Sequence, residues 1–250
     1  MRLPNADPPE PQALSMPWLI VLHLGPGIAF TALLIIVSRL FVAHGLTAYL
    51  AEVLLVPLCL APIMAGIVLL WNARTGDRLP LIRSITYREH GSALDYILWP
   101  ILLYLIFTVA SLVVVPLSNH LQLYFLGWFP TQLTEQNMLL GLASTPLGLR
   151  RATLLAGALL SGIAAPLVEE AYFRGFLLPR MRHLGILAPA LNAFLFGLYH
   201  FFSPWHLPVI FVAFLPVAYV VQAKRNYRLG VAVHAFFNLT GVITLTMRFA

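Results

Sequence analysis

Two stretches of the 250-residue chain, Tyr96 to Thr134 and His183 to Ala223, contain no Asp, Glu, Lys or Arg. Each is about long enough for two bilayer crossings at ~20 residues apiece. Only 10% of residues are charged, against roughly 25% in ordinary soluble domains. A soluble globule is thereby excluded, and a multi-pass membrane protein is expected. The net charge of +6 does not point to nucleic acid, because the basic residues sit in short connections between apolar spans, where they orient a membrane protein. Cys59 is the one cysteine, so the chain can build neither an internal disulfide nor a cysteine-based metal site.

Hydrophobic runs place spans at about 18–38, 47–71, 94–116, 152–178, 187–202, 207–223 and 229–248. The expected fold is an all-α polytopic transmembrane bundle of about seven spans. Residues 1–17, with five prolines, read as a disordered tail. Residues 18–150 supply the first spans, and 151–250 a helical core continuous with them in one membrane domain. Between Leu117 and Leu149 the chain is too polar for a crossing, but Tyr124, Phe125, Trp128 and Phe129 suit the membrane–water interface, so an interfacial or re-entrant segment is expected. Seven spans with a cytoplasmic N-terminus put Arg2, Arg74, Arg78, Arg83, Arg88, Arg180, Arg182, Lys224, Arg225 and Arg228 inside. Arg39, Arg150, Arg151 and Arg248 then lie outside. This is the asymmetry that retention of basic loops produces.

A charge near a helix centre costs ~2.5–3.5 kcal/mol, so polar residues inside the spans carry most of the information. Glu52 and Asp95 fall near span ends and read as anchors, and His23 reads as a neutral ring bonded to a neighbouring helix. The fourth span is different, because Glu169, Glu170 and Arg174 share one apolar helix. Glu170 and Arg174 stand at i and i+4 with the acid first, the favourable order for an ion pair. Glu169 points about 100° away and has no partner in its own stretch. Such a carboxylate is suited to taking and returning a proton, which makes Glu169 the candidate general base. His200 ends the fifth run, and His234 and Asn238 share a face of the seventh. A carboxylate, two histidines and an asparagine in apolar helices fit hydrolysis of an amide: the carboxylate deprotonates water, a histidine holds that water or shuttles protons, and His and Asn donors stabilise an oxyanion. The same residues also suit a divalent metal such as zinc, held by Glu169, His200 and His234, although no HExxH motif occurs.

The motifs Glu169-Glu170-xxx-Arg174, Phe196-xxx-His200 and His234-xxx-Asn238, in this order on three apolar helices, resemble the CPBP family of intramembrane proteases, which includes the type II CAAX prenyl endopeptidases and the bacterial Abi proteins. The resemblance covers about residues 151–241. It implies a glutamate-dependent membrane peptidase in which Glu169 activates water with help from His200. His234 and Asn238 match the oxyanion positions, and Glu170 and Arg174 the supporting ones. The preferred reading requires no cofactor, with zinc as the alternative. The implied setting is a bacterial cell membrane, with the lipid bilayer and a membrane-associated peptide or protein as partners and no nucleic acid. Two rival readings are a proton- or ion-coupled transporter, which calls for a polar path to both faces and an inverted repeat, and a non-catalytic immunity or scaffold protein. Hydrolysis carries two expectations: activity falls toward acid pH as Glu169 is protonated, and His200 lies within ~10 Å of Glu169. With Arg180 and Arg182 at the membrane edge, a straight fifth span would place His200 ~27 Å from that edge and Glu169 only ~15 Å. Either residues 179–189 dip into the membrane, or the fifth span is short and tilted.

Overall fold

Lipid offers backbone amides no partners, so apolar runs of this length satisfy their hydrogen bonds internally as helices. The computed structural model describes residues 11–76, 80–125 and 127–249, and each apolar run is helical in it. Helix α1 covers Met16–Ala43, α2 Ala48–Thr75 and α3 Asp95–Phe125; a ten-residue helix, α4, covers Glu135–Ser144. Then come α5 (Leu147–Leu184), α6 (Leu187–Tyr199), α7 (Leu207–Lys224) and α8 (Tyr227–Phe249). Six of the helical segments, with α7 counted from Pro204, are long and apolar enough to cross a bilayer. Among the described residues there is no strand, only an isolated bridge between Arg88 and Asn226. The chain is an all-α, multi-pass integral membrane protein.

The expected boundaries shift in three places. The third span runs past Pro116 to Phe125, since a proline inside a membrane helix leaves a freed carbonyl that its surroundings can satisfy. The fifth ends at Tyr199 rather than near 202, and at 13 residues α6 is only ~20 Å long. Third, α1 starts at Met16, and Leu14, inside the expected tail, is buried with its amide donating to the Arg180 carbonyl at 3.0 Å. Residues 1–10 of that tail, with Arg2, lie outside the described residues, as does Arg78. Residues 131–144 form a 3-10 turn and α4, too short to cross, which cap one end of the bundle. There Phe129 is buried against Trp205 at 5.0 Å, while Tyr124 and Trp128 face outward. The opposite end gathers residues 80–95 around Lys224–Tyr227: the Tyr227 amide donates to the Tyr87 carbonyl, and Lys224 reaches Asp95 at 3.3 Å.

Helix α5 changes gauge along its length. A π-helical stretch, Gly157–Ala164, gives way to α-helix over Ala165–Glu170, then to π-helix over Ala171–Leu177 and 3-10 helix over Leu178–Leu184. The prolines account for the positions of these changes. Pro166 and Pro179 lack an amide hydrogen, and their rings crowd the carbonyls four residues earlier, so the wider turns sit just ahead of each. The carbonyl that Pro179 frees, that of Gly175, accepts instead from the Thr86 amide at 3.0 Å.

Candidate active site

Glu169 and Glu170 close the α-helical stretch of α5, and their ~100° separation sends them to different neighbours. Glu170 is fully buried. Its Oε1 lies 3.1 Å from Nη1 of Arg174, the expected i,i+4 pair, and 3.1 Å from Nδ1 of His234 on α8. The space exists because residue 230 is glycine: a Cβ there would collide with Glu170 Oε2. The Arg174 guanidinium sits over the Phe196 ring at 4.0 Å and 5.2 Å from that of Phe214, so its faces are covered by aromatic π-clouds.

Glu169, 6% exposed, faces α6 and α8. Its Oε1 accepts a hydrogen bond from the Tyr199 hydroxyl at 2.8 Å, and its Oε2 stands 3.7 Å from His234 Nε2. The sequence leaves Glu169 without a partner because both partners come from distant helices. Among the described residues, Oε2 accepts no hydrogen bond at 3.5 Å or less. Next to the Glu170 carboxylate, which only accepts, the His234 Nδ1 is the donor, and that bond turns Nε2 toward Glu169.

The depth conflict resolves through the turn between α5 and α6. The 3-10 stretch carries α5 on to Leu184, and Arg180 is buried rather than at an edge: its guanidinium packs 3.9 Å from the Phe176 ring and donates to the carbonyls of Phe176 and Ser84. The reversal falls at Gly185, whose φ of +56° lies where L side chains are strained. The next carbonyl, that of Ile186, accepts from Tyr219, a full turn inside the Lys224 end of α7. The reversal thus lies on the outer surface about a turn in from the Lys224 end of α7, and α6 is short as well. Counted from it, Glu169 and Tyr199 reach similar depth and touch.

His200 follows Tyr199 directly and ends α6. Its Nδ1 donates to the Phe196 carbonyl at 2.8 Å, which leaves Nε2 as the free nitrogen, and its ring packs against Phe196, Tyr199 and Phe202. Asn238 is not drawn into the glutamate cluster, since its Nδ2 donates to the Ser161 carbonyl at 2.9 Å, leaving one amide hydrogen uncommitted. Glu169, Glu170, Arg174 and His234 therefore form one contact network, His200 adjoins it through Tyr199 and Phe196, and Asn238 lies one turn along α8. Among the described residues, no group of three or more His, Cys, Asp or Glu side chains is arranged as a metal site.

Tyr199 is the residue that sequence reasoning missed. The available signal was a phenol that must bond when buried, set in an apolar helix beside a histidine. His23 is held as expected, with Nδ1 on the Leu19 carbonyl at 2.7 Å and Nε2 at 3.1 Å from Asn192 on α6. Asp95 is bound by Ser92, Trp99 and Lys224 at the end of α3.

Residues 151–240 match the family model described as Type II CAAX prenyl endopeptidase Rce1-like. No curated protein and no solved structure matches the chain. The matched stretch holds α5, α6, α7 and most of α8, the helices that meet at the buried glutamates, and over these residues the chain is similar to the type II CAAX endopeptidases of the CPBP family of intramembrane proteases, which are peptide hydrolases.

Proposed function

We propose that this protein cleaves a peptide bond of a membrane-associated substrate with a water molecule activated by Glu169. The observation that carries the reading is the asymmetric environment of the Glu169 carboxylate: Tyr199 holds Oε1 at 2.8 Å, and Oε2 has no hydrogen bond within 3.5 Å among the described residues. One oxygen orients the group and the other is available to a water. In the proposed step, Oε2 takes a proton from water as its oxygen attacks the carbonyl carbon, and the carbonyl electrons move onto oxygen. Collapse of that intermediate breaks the C–N bond, and Glu169 returns the proton to the departing amine. His200, with Nε2 unengaged, assists the water.

The oxyanion falls to His234 and the uncommitted amide hydrogen of Asn238. For His234 to donate from Nε2 while Nδ1 is bound to Glu170, the ring carries both protons. The group of Glu169, Glu170, Arg174 and His234 then has no net charge, which suits a buried cluster. Glu170 and Arg174 act through His234 by fixing its ring. We further infer that the N-terminus is cytoplasmic, in a bacterial membrane. The support is the set Arg74, Arg83, Arg88, Lys224, Arg225 and Arg228 at the end of the bundle where α1 begins.

The test is cleavage of peptides by purified protein in lipid. Glu169→Gln lowers the rate by ~10²–10⁴-fold, the usual worth of a general base, and His234→Ala also impairs cleavage, with no effect of chelator. Activity falls toward acid pH. Cleavage that survives Glu169→Gln removes the base, and loss on chelation with rescue by zinc makes the glutamate a ligand instead.

A further inference from the structure

Glu52 reads from the sequence as a span-end anchor, but the fold gives it a different setting. It lies about one turn inside α2 and lines a cavity of about 280 Å³ enclosed by α2, α4 and the 202–206 turn. The walls are mostly apolar, with Leu133, Met138 and Phe202 among them, and the polar lining groups include Tyr49, Glu135 and His206. Neither lysine nor arginine lines it. Glu135 has His206 beside it at 3.8 Å. Glu52 has no hydrogen bond or ion pair within the described residues.

The cavity also adjoins the catalytic centre. Phe202 is in its wall and packs against the ring of His200, the residue that follows Tyr199, at 5.3 Å. An ionisable group inside a membrane protein is costly to keep without a partner, and in an apolar cavity beside a hydrolytic site the missing partner is a ligand group. The shape and charge specify that group: a flexible apolar stem long enough to run along Leu133, Met138 and Phe202, ending in a cationic donor that meets Glu52.

We propose that this cavity is a substrate subsite that receives a lysine or arginine side chain, with Glu52 as its specificity-determining residue. The assignment deepens the peptidase reading and rests on it for the word substrate. The recognition step stands on its own geometry.

It is tested without catalysis. Binding of pentylguanidinium and of its neutral isostere N-pentylurea is measured by calorimetry on the protein in phosphatidylcholine nanodiscs, whose lipid has no net charge to capture the cation. The wild type is expected to bind the guanidinium at least tenfold more tightly than the urea. In Glu52→Gln the two affinities come within about threefold, while Glu169→Gln keeps the preference. Equal affinities in the wild type, no binding of the cation, or a preference that persists in Glu52→Gln each overturn the proposal. The wild-type comparison decides even if the Glu52 variant does not fold. Failure of the peptidase reading registers separately, as cleavage indifferent to Glu169→Gln.

Discussion

Helices α3 and α5 invert the rule learned from soluble proteins. α3 is among the more apolar spans, yet only 17% of its most apolar stretch is buried, whereas α5, among the least apolar, has 39% of its own buried. Val109, Leu112 and Val113 of α3 face outward at 70–76% exposure, and Glu170 and Arg174 of α5 are at 0%. In water the hydrophobic effect would exchange these positions. In lipid an outward leucine costs nothing, and the interior is the one place where charges can find partners, so packing and polar pairing hold the bundle together. The consequence for function is that hydrophobicity marks the periphery of this protein, and departures from it mark the centre.

The largest expected effect breaks the α5 side of this contrast. Arg174→Leu leaves the Glu170 carboxylate buried beside His234 alone and is expected to cost about 3–5 kcal/mol, the range for removing one partner of a buried pair. Replacing both members, Glu170→Leu with Arg174→Leu, recovers part of that loss in thermal unfolding while cleavage stays impaired, because His234 loses its anchor. If Arg174→Leu unfolds at the wild-type temperature, the ion pair is not what holds α5 in place.

Substitutions on α3 sharpen the other side. Val109→Asp places a charge on an outward face and is expected to cost about 2.5–3.5 kcal/mol, visible as reduced insertion and yield. Leu112→Ala on the same face changes unfolding by less than about 0.5 kcal/mol, since few protein contacts are lost. The same truncation at Phe173 on α5, packed against Phe196 at 4.9 Å and Tyr199 at 5.0 Å, costs about 3–5 kcal/mol. Equal losses at Leu112 and Phe173 would contradict the assignment of α3 to the periphery.

What was legible in the sequence follows the same division. The apolar runs announced the helices because length and composition alone decide helix formation in lipid. The Glu170–Arg174 pair was legible because i,i+4 spacing is a local geometry. The partners of Glu169 were not, since Tyr199 and His234 lie 30 and more residues away and meet it only through the Gly185 reversal. Nor was the depth of that reversal. Arg180 has the composition of a membrane-edge residue, and only the Phe176 ring and two carbonyls explain how its guanidinium is kept inside. Glu52 does lie near a span end, about one turn inside α2, but distance from that end says nothing of the cavity that α4 helps to close over it.

The smallest effect compares an ion pair at the rim with the one inside α5. Glu135 opens α4, its side chain 54% exposed, and His206 stands 3.8 Å away. The His206 side chain, with a smaller contribution from Arg248, holds the Glu135 carboxyl below its ordinary value in spite of some desolvation. A carboxyl whose value is lowered by folding contributes stability that is fully present above ~4.3, the unfolded value, and is lost as pH falls through the lowered one. Solvent screening limits that contribution to a few tenths of a kcal/mol, as for other exposed pairs. Glu135→Gln should therefore shift unfolding slightly at pH 6 and not at all near pH 2, and added salt should shrink the difference further. A loss at pH 6 comparable to that of Arg174→Leu would show that the rim pair is as shielded from solvent as the pair in α5, with α4 clamped over the bundle end rather than resting on it.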